Sequence, residues 1–209
     1  MFTIFYIMFR GLFIAGTGTN VGKSYTTALL LSCLKHTKGK ILYYKPIQCG
    51  QPGDAAFVKK MAKHRDVACS YNLKTASSPH FAFEKENLKF SKKIIRDFLS
   101  VAKKQYDFIL VEGAGGVRVP ITDSFDMADL AKLSGFPVLL IAQPGLGTIN
   151  HTLLSIDYLK SKKIKVEGFM FYLGNNENPK DEIIADNAKI IEKISKVTFL
   201  GAVPTPFIP

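Results

Sequence analysis

The sequence predicts a doubly wound α/β domain, a mainly parallel sheet with helices on both faces, and three features carry that prediction. Apolar runs of strand length alternate with longer segments of helical period. The strand candidates are apolar on consecutive residues rather than on alternate ones, so both of their faces need cover. Glycines gather just past the strand ends, where backbone must approach something closely.

In chain order, Leu-Phe-Ile-Ala at residues 12–15 reads as the first strand, and the segment 22–36 that follows its glycine-rich turn as a helix. Ile-Leu-Tyr-Tyr at 41–44 is the second strand, with a helix over 54–63 opened by Asp54. A helix over 91–104 leads into Phe-Ile-Leu-Val at 108–111, a strand closed by Glu112 and three glycines within four residues. A helix at 126–133, the strand Val-Leu-Leu-Ile-Ala at 138–142, a helix at 149–160, a strand at 168–172, a helix at 181–194 and a strand at 199–203 complete the alternation. Residues 69–87 are the least regular and read as a surface excursion. Ligands of such a fold are expected at the carboxyl ends of the strands.

The 209 residues, 47% of them apolar, suit one domain with a substantial core: residues 11–209, preceded by residues 1–10 as an N-terminal extension or the start of the first strand. The apolar run 2–9 is interrupted by Thr3 and stopped by Arg10, far short of the roughly 20 residues of a membrane span. It lacks the charged start and cleavage site of a secretory signal, and with Met8 just ahead of the first strand, residues 1–7 read as an extension or an alternative start. Net charge is +11, carried by 24 Lys and only 4 Arg spread along the chain. A nucleic-acid surface would concentrate its charge and use more Arg, so neither nucleic acid nor membrane is expected as partner. Three cysteines without metal-type spacing argue against a disulfide framework and for a reducing, cytoplasmic setting.

The strongest motif is Gly16-Thr-Gly-Thr-Asn-Val-Gly22-Lys23-Ser24, between the first strand and first helix. Such a loop turns successive amides toward phosphate oxygens, adds the helix N-terminus, and supplies one Lys and one hydroxyl for Mg²⁺. Thr17 holds the usual first glycine position, with Gly16 one residue earlier. The domain is therefore P-loop NTPase-like. Glu112, at a strand tip, suits the carboxylate such a metal needs, although an ordinary strand-end acid has the same pattern. Asp54 reads equally as a helix N-cap. Lys45 stands where it would neutralise a transferred phosphoryl group, but taken alone it reads more simply as a solvated lysine. No Ser/His/Asp or Cys/His set suggests a covalent protein intermediate, and His36, His64 and His80 read as surface or packing residues.

Five motifs in order make the chain resemble the dethiobiotin synthetase family from about residue 11 to residue 204. They are the phosphate loop, Tyr-Lys-Pro-x-x-x-Gly from Tyr44, Gly-Asp-Ala from Gly53, Val-Glu-Gly-Ala-Gly-Gly from Val111, and Leu-Gly-Thr-Ile-Asn-His from Leu146. The resemblance implies a homodimeric ligase that converts 7,8-diaminononanoate and CO₂ to dethiobiotin with ATP, through a carbamate and a carbamic–phosphoric mixed anhydride. It implies Lys23 and Lys45 as catalytic cations and Ser24, Asp54 and Glu112 around Mg²⁺. Asn20, Val21, Gly22, Lys23, Ser24 and Tyr25, with Asp54, Glu112, Gly113, Ala114 and Gly115, would hold the nucleotide. Thr19 and Cys49 would border the diamine, and Gly147, Thr148 and Asn150 would receive its carboxylate across a dimer interface, with His151 capping or packing there. Gly18 stands where the family usually has Asp. Its base-reading Asn is replaced by Tyr172 or, with a shift, Asn175 or Asn176, and the chain stops at Pro209, so base recognition is expected to be loose. The competing class is a dimeric partitioning or septum-placement ATPase. Such switches carry a Lys five residues before the loop Lys, where this chain has Gly18.

Overall fold

The computed structural model describes residues 10–35, 37–64, 66–174 and 180–204. His36, Asn175, Asn176, residues 1–7 and Pro209, all considered above, lie outside the described residues. Seven strands form one parallel sheet: β1 (Gly11–Gly16), β2 (Ile41–Cys49), β3 (Val67–Leu73), β4 (Phe108–Glu112), β7 (Val138–Ala142), β8 (Val166–Tyr172) and β9 (Phe199–Val203). Their spatial order is β3-β2-β4-β1-β7-β8-β9, and every neighbouring pair is parallel. A short antiparallel hairpin, β5 (Pro120–Thr122) and β6 (Phe125–Asp126), stands apart from it.

The central strands are apolar on successive residues because two cores claim them. Phe13, Leu42, Val111 and Leu140 face one cluster with α3 (Pro79–Lys85), α4 (Lys92–Gln105), α5 (Met127–Ser134), α6 (Thr148–Ser161) and α7 (Asp181–Ser195). Leu12, Tyr43, Leu110 and Ile141 face the other, with α1 (Lys23–Leu34) and α2 (Asp54–Met61). Strand residues of opposite parity thus point to opposite sides, and both sides are dry.

The six expected strands and six expected helices are present, with ends displaced by a few residues. Two expectations are corrected. Residues 69–87 are not an irregular excursion: they hold most of β3 and all of α3, and residues 76–79 wall a cavity. The second strand does not end at Tyr44 but runs through Lys45 and Pro46 to Cys49, so Lys45 is a strand residue, 1% exposed, and not a solvated one. β2 continues because β3, an added edge neighbour, pairs with it as far as Cys49.

Candidate active site

The order β2-β4-β1 brings the three chemically unusual strand ends together. β1 ends in the glycine-rich loop and β4 in Glu112, while the β2–β4 register sets Tyr44 beside Val111 and so puts Lys45 next to Glu112. A cavity of about 830 Å³ opens above them. Of the expected site residues, Thr19, Asn20, Gly22, Lys23, Ser24, Tyr25, Lys45, Cys49, Asp54, Ala114 and Gly115 line it.

In the loop, Asn20 (φ 58°) and Gly22 (φ 89°) adopt left-handed backbone, the alternation that turns consecutive amides inward to make an anion nest. Gly22 is also the N-cap of α1 and brings no capping side chain, so the first amides of the helix keep their donors for a ligand. The Lys23 ammonium folds back onto its own loop and donates to the Gly18 carbonyl at 2.7 Å. Gly16 leaves room for this, since a β-carbon there would stand 2.9 Å from Lys23 Nζ. Burial, reinforced by the nearby Lys45 charge, lowers the Lys23 pKa to about 8.

Lys45 binds three oxygens: Asp54 Oδ2 at 2.7 Å, Glu112 Oε1 at 2.8 Å and the Gly113 carbonyl at 2.9 Å. Burial alone would favour neutral Lys45, but the Glu112 and Asp54 charges outweigh it and hold the ammonium above its ordinary range. In return Lys45 overcomes the burial of Asp54 and keeps that carboxylate below its ordinary range. Ser24 Oγ donates to Glu112 Oε1 at 2.7 Å. Glu112 is fully buried, yet one carboxylate oxygen faces the phosphate loop. Two carboxylates and a hydroxyl thus converge on a spot that already holds a cationic group, a hard-oxygen donor set suited to Mg²⁺.

Several functional neighbours escaped the sequence reading. Gln48 Oε1 accepts the Asp54 amide proton at 2.7 Å, supplying the cap that Gly53 cannot, and Gln48 Nε2 donates to the Cys49 carbonyl at 3.0 Å. Tyr43, beneath Lys45, donates to Glu112 Oε2 at 3.0 Å. Phe57, Ser77, Ser78, Pro79 and Val119 complete the cavity wall. No local motif marks them; only the register and the fold of residues 74–79 bring them in. Tyr172 closes the cavity at the end of β8, its ring tilted against Tyr25 at a centroid distance of 5.2 Å. Burial raises the Cys49 thiol to about 11, which suits a wall and not a nucleophile.

The structure separates other expected residues from this cavity. Val21 is buried in the α1-side core and reaches a second, smaller recess of about 290 Å³, which Thr148 also lines together with His151. Gly147 caps α6 with left-handed backbone and Asn150 is exposed. Gly113 contributes its carbonyl to Lys45 and does not line the main cavity. His64 bonds the Ile41 carbonyl, a packing role, and His80 is exposed. Among the described residues, no helix is long and apolar enough to cross a membrane.

A family model described as "AAA domain" matches residues 10–206. Solved structures of similar fold include a cell division ATPase MinD from Pyrococcus furiosus (17% identical, 94% of this chain and 84% of that one, TM-score 0.58). A ParA family ATPase from Chlorobium tepidum is comparable (14% identical, 94% and 85%, TM-score 0.59); at such identity these likenesses establish the P-loop fold alone. Sequence relatives go further. The chain is 35% identical to the ATP-dependent dethiobiotin synthetase BioD of Anoxybacillus flavithermus, over 93% of this chain and 91% of the relative. It is 35% identical to that of Methanocaldococcus jannaschii, over 92% of each. With the phosphate loop, its lysine and the facing carboxylates already assembled at one end of the sheet, these relatives identify an ATP-using ligase of biotin synthesis, and the chain belongs to the dethiobiotin synthetase family.

Proposed function

We propose that this protein carboxylates 7,8-diaminononanoate and closes it to dethiobiotin, acting by charge neutralisation and positioning alone. The observation that carries the reading is the Lys45 ammonium, buried between Asp54 and Glu112 and adjoining the Lys23 loop in one cavity. The substrate supplies both nucleophiles. One amine adds to CO₂, losing a proton to give a carbamate; a carbamate oxygen attacks the γ-phosphorus of ATP, releasing ADP. The second amine then attacks the carbonyl carbon and loses a proton, and the C–O bond to phosphate breaks, releasing inorganic phosphate as the cyclic urea forms.

Residues 20–25 and 112–115 hold the nucleotide phosphates. Lys23 and Lys45 are the catalytic cations, Lys45 exchanging part of its carboxylate contact for carbamate or phosphoryl oxygen. Each such contact is worth on the order of 3 kcal/mol in the transition state. Ser24, Asp54 and Glu112 would hold Mg²⁺, which supplies further neutralisation of the triphosphate when bound. Thr19 and Cys49 border the diamine.

The same proposal makes the protein a cytoplasmic homodimer in which Gly147, Thr148 and Asn150 of one protomer receive the substrate carboxylate bound mainly by the other. Two features support it: Thr148 lines a second recess beside the main cavity, and the neighbouring Leu146 is fully exposed at 108%. The deciding experiment follows labelled bicarbonate. Label should enter a cyclic urea only when diaminononanoate, Mg²⁺ and nucleotide are all present. Nucleotide hydrolysis without incorporation would sink the proposal and favour a switch ATPase.

A further inference from the structure

We propose that Tyr43 is a positioning residue that divides the Glu112 carboxylate, fixing one oxygen beneath the site so that the other is presented to the metal and phosphate side. This rests on the reading of Glu112 as a divalent-cation ligand. Tyr43 and Lys45 lie two residues apart on β2 and therefore project from the same face. Both meet Glu112 on the adjacent strand, but on different oxygens. The Tyr43 hydroxyl donates to Oε2 at 3.0 Å, while Lys45 and Ser24 donate to Oε1 at 2.8 and 2.7 Å.

The direction matters because the torsion at the end of a glutamate side chain is soft and roughly two-fold. Without a donor below, the carboxylate turns freely enough to offer both oxygens to Lys45 and Ser24. Tyr43 is well suited to prevent this. Its ring is fully buried in the α1-side core and cannot follow the carboxylate into the cavity. Its hydroxyl reaches only Oε2, the oxygen that neither Lys45 nor Ser24 contacts. A lysine or water in its place would compete for the cavity side; a buried phenol binds from beneath only.

The test compares Mn²⁺ binding, read by the electron paramagnetic resonance of free ion, in the presence of a non-hydrolysable ATP analogue. Tyr43→Phe keeps the packed ring, and melting curves confirm the fold; Tyr43→Met, which fills much of the same space, serves if the first variant does not accumulate. Losing an outer support of a metal ligand typically costs 10–100-fold in metal affinity, and a loss of about tenfold or more is expected here. Turnover at fixed Mg²⁺ should fall while KM for the diamine stays put. Glu112→Gln runs alongside. If Glu112→Gln weakens Mn²⁺ binding but the Tyr43 variants bind it as the parent does, or more tightly, Tyr43 has no positioning role and the metal assignment survives. If Glu112→Gln also binds normally, the metal assignment and the inference fall together.

Discussion

The ring of Tyr172 lies so close to Gly22 that a β-carbon on Gly22 would stand 2.1 Å from the ring's Cγ. One residue of the phosphate loop and one at the end of β8 are therefore fitted to each other, and Gly22 is doubly constrained because its φ of 89° is also costly for other residues. Gly22→Ala should displace the ring, distort the amide nest and weaken nucleotide binding by about tenfold or more. Adding Tyr172→Ala removes the collision but not the backbone strain of roughly 1–2 kcal/mol, so binding should recover only in part. Calorimetric titration of the four proteins with ATP tests this; full recovery in the double variant would mean that backbone conformation is irrelevant.

Tyr172 also bears on nucleotide choice. An aromatic face at the edge of the cavity contacts any base with similar strength and reads no hydrogen-bond pattern. In turnover assays GTP and CTP should therefore compete with ATP to within about tenfold. Strict dependence on ATP at micromolar concentration would exclude a base site dominated by stacking.

The Lys23 pKa of about 8 predicts a pH dependence with a defined sign. In the free protein Lys23 loses its proton above pH 8, whereas bound phosphate requires the charged form. Binding must then take up a proton, and nucleotide affinity should fall by about tenfold between pH 7.5 and pH 9. Lys23→Arg, which keeps its charge, should bind with little change over that range. Stability moves the opposite way: the ordinary value is 10.5, so the unfolded chain holds more protons between pH 8 and 10.5, and the cost of burying Lys23 diminishes as pH rises through that window. Lys23→Met should raise the melting temperature at pH 7 and do so less at pH 10.

What was legible in advance follows from how local each signal is. β1, β4 and β7 are buried on both faces, so their identity is written in consecutive apolar residues, and the phosphate loop is a contiguous motif. β3 is not legible in the sequence because it is an edge strand, mostly half-buried, whose run Val-Ala-Cys-Ser-Tyr-Asn-Leu mixes polar and apolar residues. α3 has only seven residues, too few to display a helical period. Lys45, read alone, was indistinguishable from a solvated lysine. What buries it is the pairing of β2 with β4 across more than sixty positions of chain, a contact that no spacing rule encodes. Gln48 and Tyr43 were hidden for the same reason: each acts on a residue from another element or turn.

The Lys45–Glu112 contact permits stability and catalysis to be separated. Both groups are essentially inaccessible to solvent, and such a pair contributes little net stability while intact but is costly to break from one side. Lys45→Gln leaves the Glu112 charge buried without its cation and with only neutral donors, among them the Ser24 and Tyr43 hydroxyls, while the Asp54 carboxylate, which shared that cation, can only repel it. The single variant should lose about 3–5 kcal/mol of stability. Adding Glu112→Gln replaces the stranded charge with a neutral amide of the same shape, so denaturant midpoints should return most of the way to the parent. Turnover should not return: a hundredfold or greater deficit in the single variant should persist or deepen, because the second substitution also removes a charge from the site. Recovery of both would mean that Lys45 acts only by holding Glu112 in the fold. Loss of turnover with no loss of stability would mean instead that the carboxylate finds adequate partners in Ser24 and Tyr43 and that the ammonium is free for phosphoryl oxygen.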